Sequence, residues 1–420
     1  MKRRRIWVSV PRRWAQCWHF RVVEAFLRGA DLLWGDSSWR SKTLRWPSSF
    51  RLTRRLTKKT PFSFREGTVF FFENHRGYVI IEKNRDKRKG EKLLKKKRKV
   101  LIGTVLTASL AGAGVFRYFS DMAVCRRRPQ IPALIQGVID RGQDDDVFSP
   151  VVRSFCDGFK EIPVEEFTQV SADGLLLKGR LFRPEKPKRL VLFMHGWRSS
   201  WQKDFSVLVK PLLDMDCALF FADERAHGES EGNFITYGVM EKDDCVRWAQ
   251  KLAKEFPELP LYLWGMSMGA SAVMLASAEK ELPSSVRGVI SDCGFNNPRE
   301  ELEHLVRQKL GRGEKQIIGV YRRHFIRRCG FDLEGFHTEE ALAKTKLPFL
   351  FFHGKDDHFV PTVMTLGNYA AAAGEKELVL IDGAVHCKCF YVDGETCFAK
   401  TAAFFEKYDG MEEGSRCSTK

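Results

Sequence analysis

From about residue 163 the chain predicts an α/β fold: a mostly parallel central sheet with helices on both faces. Two observations carry this. Short apolar runs alternate with longer amphipathic stretches from Leu190 to Tyr408, the rhythm of right-handed strand–helix–strand crossovers. One apolar run, Leu261-Tyr262-Leu263-Trp264, leads into Gly265-Met266-Ser267-Met268-Gly269 and then into small helix-favouring residues from Ala270 to Ala278. That is the pattern of a strand turning sharply into a helix.

The elements follow in order. Val164–Val170 and Leu175–Leu181 flank Ala172-Asp173-Gly174 and predict an antiparallel pair. The expected alternation is then strand Leu190–Met194, helix Lys203–Leu213, strand Cys217–Ala222, helix Val239–Lys254 and strand Leu261–Trp264. It continues with helix Ser267–Ala278, strand Val286–Ser291, strand Phe349–Phe352, helix Thr362–Ala373, strand Glu377–Ile381 and helix Thr396–Tyr408. Continuous apolar runs such as Phe349–Phe352 suit strands buried on both faces. The rhythm breaks between Cys293 and Lys346, where two amphipathic helices fit, about Pro298–Leu310 and Glu314–Arg328. An insertion there is expected to form a cap, at about 294–346, over the sheet edge. Its Arg322, Arg323, Arg327 and Arg328 read first as a solvated face, and second as attraction for an acidic substrate or headgroup surface.

The residues at the strand ends carry chemistry. Ser267 between two glycines suits an exposed nucleophile on a strained turn. A serine hydroxyl needs a base, an acid to orient that base, and donors for the developing oxyanion. Downstream, Asp356 and Asp357 follow the run Phe349–Phe352, and His386 follows Glu377–Ile381 through Asp382-Gly383-Ala384-Val385. Carboxylate and imidazole therefore leave the same sheet edge as Ser267. Upstream, Gly196 permits a tight turn after Leu190–Met194, which directs the Trp197 amide toward a substrate carbonyl; the Met268 amide is the second expected oxyanion donor. His195 reads as a structural hydrogen-bonding residue. Cys387 and Cys389 beside His386 carry only a weak metal signal, and neither a metal nor an organic cofactor is expected.

These motifs together resemble the α/β-hydrolase superfamily. They are His195-Gly196, Asp223-Glu224-Arg225-Ala226-His227-Gly228-Glu229-Ser230-Glu231-Gly232, the Gly-Met-Ser-Met-Gly around Ser267, His353 to Pro361, and Gly383-Ala384-Val385-His386. Within it the chain is most similar to the serine aminopeptidase-like and acylglycerol lipase-like branch, in membrane-anchored forms of Gram-positive bacteria. The resemblance covers roughly residues 160–410. It implies Ser267 as nucleophile, His386 as base and Asp357, three residues before Val360-Pro361, as the acid, with Asp356 a substitute. It also implies that Asp223–Gly232 is a structural loop tied down by Arg225 and His227.

Charge divides the chain. Residues 1–100 carry 29 Lys and Arg against 8 Asp and Glu, while the remainder carries 41 against 45. No basic recognition fold accompanies the excess, so nucleic acid is not an expected partner. Residues 100–116 form an uncharged, mostly apolar run between the Lys95–Lys99 cluster and Arg117. It reads as a short single-pass anchor with the hydrolase outside, ahead of a buried helix or a cleaved signal; a cytoplasmic protein is the alternative. Six of the ten tryptophans lie in the first 50 residues without periodicity. The expected organisation is a disordered or non-native extension over 1–94, an anchor with its basic flank over 95–118, a linker over 119–160, the hydrolase domain over 161–410 and a tail over 411–420. Catalysis is expected to be self-sufficient from about Asp121.

The expected function is hydrolysis of a small acyl ester through an acyl-enzyme. Short peptides or amides come second, and an acyltransferase or a scaffold with an idle triad further behind.

Overall fold

The computed structural model describes residues 112–127, 149–157 and 162–410, together with short stretches within 63–96. The chain divides into two units, Met1–Lys96 and Lys97–Lys420. In the first, strands β1 (Ser63–Phe64), β2 (Gly67–Asn74) and β3 (Gly77–Glu82) pair antiparallel, with Asn74 opposite Gly77. The sequence reading expected no folded element here. The cause lies in two β-branched and aromatic runs, Val69 to Phe72 and Tyr78 to Ile81, joined through His75-Arg76.

In the second unit, strands β4 (Glu165–Val170), β5 (Leu176–Phe182), β6 (Arg189–Met194), β7 (Cys217–Asp223), β8 (Leu261–Met266), β9 (Val286–Asp292), β10 (Phe349–Gly354) and β11 (Lys376–Ile381) form one sheet. Among the described residues its order is β11-β10-β9-β8-β6-β7-β5-β4. The β4–β5 and β5–β7 pairs are antiparallel, and the rest are parallel. Every residue of β6, β7, β8 and β10 is buried, as continuous apolar runs in a doubly covered parallel sheet should be.

Helices Trp201–Asp214 and Gly394–Tyr408 cover one face, packing Phe205, Leu208, Phe404 and Phe405 onto it. Phe193 at its centre stacks on Phe221 and Trp264, with ring centroids 4.6 and 5.4 Å away. Helices Glu241–Glu255 and Met268–Ala276 cover the other face with Trp248, Leu252, Val273 and Met274. The predicted elements of this domain are all present. Their bounds shift by a few residues at most, and the short helices Thr338–Leu342 and Cys389–Val392 are additional.

The cap consists of helices Pro298–Leu310 and Glu314–Cys329. Asn297 caps the first, accepting from the Arg299 and Glu300 amides, and Gly311 in a left-handed conformation ends it. Of the cationic run, Arg322 pairs with Asp332 and Glu334, and Arg328 with Asp121.

Two features of the expected organisation change. Residues 100–111 of the candidate anchor lie outside the described residues. Its remaining part, 112–116, belongs to a helix that runs on to residue 124 and packs Val124 fully buried among Met268, Ile317, Phe325 and Val360. Within the expected linker, helix Ser149–Asp157 packs through Cys156 against the core of the domain. Among the described residues no helix is long and apolar enough to cross a membrane.

The segment Asp223–Gly232 is a structural loop. Arg225 donates two hydrogen bonds to Asp244, at 2.6 and 2.8 Å, and two to Asp173 at 3.1 Å. Both the Arg225 and Asp244 side chains are buried. Removing one partner of such a pair strands the other's charge, at a cost of about 3–5 kcal/mol. Arg225→Ala is therefore expected to lower the urea midpoint by a corresponding amount, measured on the full chain.

Candidate active site

The site begins with two glycines. β8 ends at Met266 and the next helix starts at Met268, so the chain reverses direction within Ser267, held at φ 54° and ψ −114°. A Cβ on Gly265 would lie 2.2 Å from the Gly269 carbonyl oxygen, and one on Gly269 would lie 2.0 Å from that of Met194. Only glycine fits at either position. A non-glycine residue in this region of backbone space carries about 1–3 kcal/mol of strain. The Ser267 amide donates to the Asp292 carbonyl at 2.8 Å, which pins the turn to the end of β9.

The three residues predicted from the sequence meet above this turn. His386 Nε2 accepts from Ser267 Oγ at 2.9 Å, and His386 Nδ1 donates to Asp357 Oδ2 at 2.6 Å. Asp357 Oδ1 accepts from the Phe359 and Val360 amides, both at 2.9 Å. Asp356, the weighed substitute, is exposed and takes no part in this chain of hydrogen bonds.

Burial by itself raises the Asp357 carboxyl, but the His353 and His386 rings beside it hold it well below the usual carboxylate range. His353 is a member that the sequence reading missed. Fully buried at the end of β10, it donates from Nε2 to the Val360 carbonyl at 3.0 Å, with Asp357 Oδ2 3.3 Å away. Its place in the run His353-Gly354-Lys355-Asp356-Asp357 was the available signal. Burial of His386 disfavours its cation, while Cys293 and the Asp357 carboxylate favour it; the net displacement is upward, above the ordinary 6.5.

The loop after β6 lies beside the turn. The Gly196 amide donates to Asp204 Oδ2 at 2.6 Å, and the Gly196 carbonyl accepts from His195 Nδ1 at 2.9 Å and from the Ser199 amide at 3.2 Å. That fixes the peptide plane whose N–H belongs to Trp197. A Cβ on Gly196 would lie 3.4 Å from the Ser267 Cβ, which sets how close this loop stands to the serine. The Met268 amide opens the helix after the turn, where the helix dipole adds positive potential.

Two groups have metal-ligand proximity among the described residues: Cys293 with His386 and Cys387, and His195 with Glu224 and His227. In the second, both ring nitrogens of each histidine are already hydrogen-bonded. His195 bonds the Gly196 carbonyl and the Glu224 amide, and His227 the Arg225 carbonyl and the Arg198 amide. In the first, the imidazole is committed to Ser267 and Asp357, and the Cys293 and Cys387 sulfurs face each other at 3.4 Å. Cys389, weighed with Cys387 from the sequence, is buried in the core.

A strand–turn–helix elbow on an eight-stranded, mostly parallel sheet, with a cap inserted between β9 and β10, defines the α/β-hydrolase fold. Within it, residues 185–318 match the family profile described as serine aminopeptidase, S33 (Hydrolase_4). The uncharacterized protein YqkD of Bacillus subtilis is 25% identical over 321 residues, covering 76% of this chain and 99% of that protein. The monoglyceride lipase of Homo sapiens is 26% identical over 263 residues, covering 54% of this chain and 85% of the lipase. Among solved structures, an esterase of Pyrococcus furiosus superposes with a TM-score of 0.48 at 17% identity, over 61% of this chain and 94% of that one.

An imidazole raised by its carboxylate accepts a proton only above its own pKa, so kcat/KM for an ester is expected to fall on acidification with a midpoint above 6.5. Asp357→Asn should move that midpoint down and lower kcat by about 10⁴, with Asp356→Asn close to wild type. A pH–rate profile of the three proteins checks both.

Proposed function

We propose that the protein is a serine hydrolase of carboxylic esters that works through Ser267, His386 and Asp357. The chain is a hydrolase by its relationships. The observation that carries the finer reading is the continuous hydrogen-bond chain from Ser267 Oγ through the imidazole to a buried carboxylate, 2.9 Å and then 2.6 Å. Ser267 Oγ attacks the ester carbonyl carbon while its proton passes to His386 Nε2. The carbonyl π electrons move onto oxygen, and the oxyanion is received by the Trp197 and Met268 amides, each contributing about 3 kcal/mol. The tetrahedral centre collapses, the bond to the leaving oxygen breaks, and Nε2 returns its proton to the departing alcohol. Water repeats the sequence on the acyl-enzyme: its proton goes to Nε2, the acyl bond to Oγ breaks, and Oγ recovers the proton. Asp357 keeps the imidazole in the tautomer with hydrogen on Nδ1 and stabilises the transient imidazolium.

Small acyl esters are the first substrate class, an assignment supported by the monoglyceride lipase relative. The S33 profile favours peptide or amide substrates as the second class, because the same nucleophile and donors serve both. We further propose that the apolar run ahead of the helix over residues 112–124 anchors the chain, with the basic Lys95–Lys99 flank in the cytoplasm and the hydrolase domain outside.

Ser267→Ala is expected to abolish labelling by a fluorophosphonate probe and to reduce ester turnover to a residue left by the oxyanion donors, a loss of about 10⁶ in kcat. Labelling that persists in the variant overturns Ser267 as nucleophile. A panel of monoacylglycerols and aminoacyl amides then assigns the substrate class. Protease added to intact cells is expected to digest the hydrolase domain; protection until lysis overturns the outward orientation.

A further inference from the structure

The helix over residues 112–124 ends against the loop that carries the Trp197 amide. Such a helix leaves its last carbonyls without intrahelical donors. Here three side chains supply them. The Ala123 carbonyl accepts from Trp197 Nε1 at 2.7 Å and from the Tyr237 hydroxyl at 2.9 Å. The Met122 carbonyl accepts from Arg198 Nε at 2.6 Å, and Arg198 Nη2 donates to the Asp121 carbonyl at 3.2 Å and to that of Cys125. A guanidinium at a helix C-terminus also meets the negative end of the dipole. Arg198 is constrained at its own backbone as well. It stands at φ 52°, and its amide donates to His227 Nε2 at 3.0 Å.

The helix is in turn fixed to the rest of the domain. Phe116 stacks on Tyr321 of the cap at 4.5 Å, and Asp121 pairs with Arg328. The Val124 carbonyl accepts from the Ile235 amide at 2.7 Å, and the Arg126 guanidinium reaches the Gly228 carbonyl at 2.7 Å. The loop after β6 is therefore held from within by Asp204 and His195, and from without by a segment preceding the predicted hydrolase domain.

We propose that the helix over residues 112–124 is a positioning element for the oxyanion site, holding Trp197 and Arg198 through its terminal carbonyls so that the Trp197 amide faces the reacting oxygen. The inference rests on the reading of that amide as an oxyanion donor. The carbonyls concerned belong to Asp121, Met122, Ala123 and Cys125, at the start of the segment expected to be self-sufficient. Arg198 and the Trp197 indole are positioning groups, since neither side chain touches the reacting atoms in this account.

The test uses the full chain with Arg198→Ala, Arg198→Lys and Trp197→Phe, the last removing Nε1 while keeping the backbone amide. Turnover is normalised to active sites by fluorophosphonate titration, so that loss of folded protein does not count as loss of rate. A displaced donor loses up to about 100-fold in rate, so Arg198→Ala is expected to lower kcat per active site by at least about tenfold while KM stays within about twofold. Affinity for a boronic acid transition-state analogue should fall by the same factor as kcat. Arg198→Lys should recover part of the loss and Trp197→Phe should show a smaller one. Should Arg198→Ala fail to fold, Trp197→Phe carries the decision by the same two readouts. Unchanged kcat per active site, or a fall in melting temperature without a parallel fall in analogue affinity, overturns the positioning role. A wild-type chain that neither labels nor cleaves esters overturns the functional reading along with it.

Discussion

The site depends on one close approach of backbone to backbone. The first turn of the helix after β8 lies so near the end of β6 that position 269 has no room for a side chain, and position 265 has none against the helix itself. That contact folds the chain back within a single residue and leaves Ser267 in a conformation that serine avoids. The strain persists because parallel pairing of β8 with β6 and β9 fixes both flanks of the turn. Strain of this kind survives only where the surroundings over-determine it.

Electrostatics then sets the state of the buried carboxylate. Asp357 is taken out of water at the end of β10, which alone would favour its neutral form. Two backbone amides and two imidazoles reverse that preference. A carboxylate kept charged in a water-poor setting acts on His386 with little screening, and this raises the ring's affinity for a proton. His353 does for the carboxylate what the carboxylate does for His386, with Val360 and Thr365 holding His353 in place.

The sheet and the candidate triad were legible in the sequence because both write themselves locally. Unbroken apolar runs mark strands covered on two sides, and Ser267, Asp357 and His386 each follow such a run at the sheet edge. The five-residue elbow is legible for the same reason, since its glycines answer a steric demand made within a few residues. His353 was harder to see, because its role depends on a carboxylate four positions on and on a threonine from the next helix. The helix over residues 112–124 was harder still. Its sequence, Gly112 to Val124, reads as the tail of an apolar segment, and the partners that reveal its place, Trp197, Arg198 and Tyr237, stand some 75 to 115 positions away. Contacts so distant in sequence leave no periodicity to read.

The cap connects two strands, β9 and β10, that lie side by side with Phe349 opposite Val289 and Phe352 opposite Asp292. Their pairing is made without the intervening chain, and helix Thr338–Leu342 returns that chain to the body of the domain. Because each doubling of a flexible connection costs only about 0.6 kcal/mol, this stretch can lengthen or shorten while the register beneath it stays intact, so long as Tyr321 and Arg328 keep their contacts with the helix over residues 112–124. Lineages carrying this architecture therefore have a route to new cap sequences that leaves the pairing of β9 with β10 untouched. Divergence is expected to accumulate fastest between Gly294 and Lys346 and slowest at the elbow.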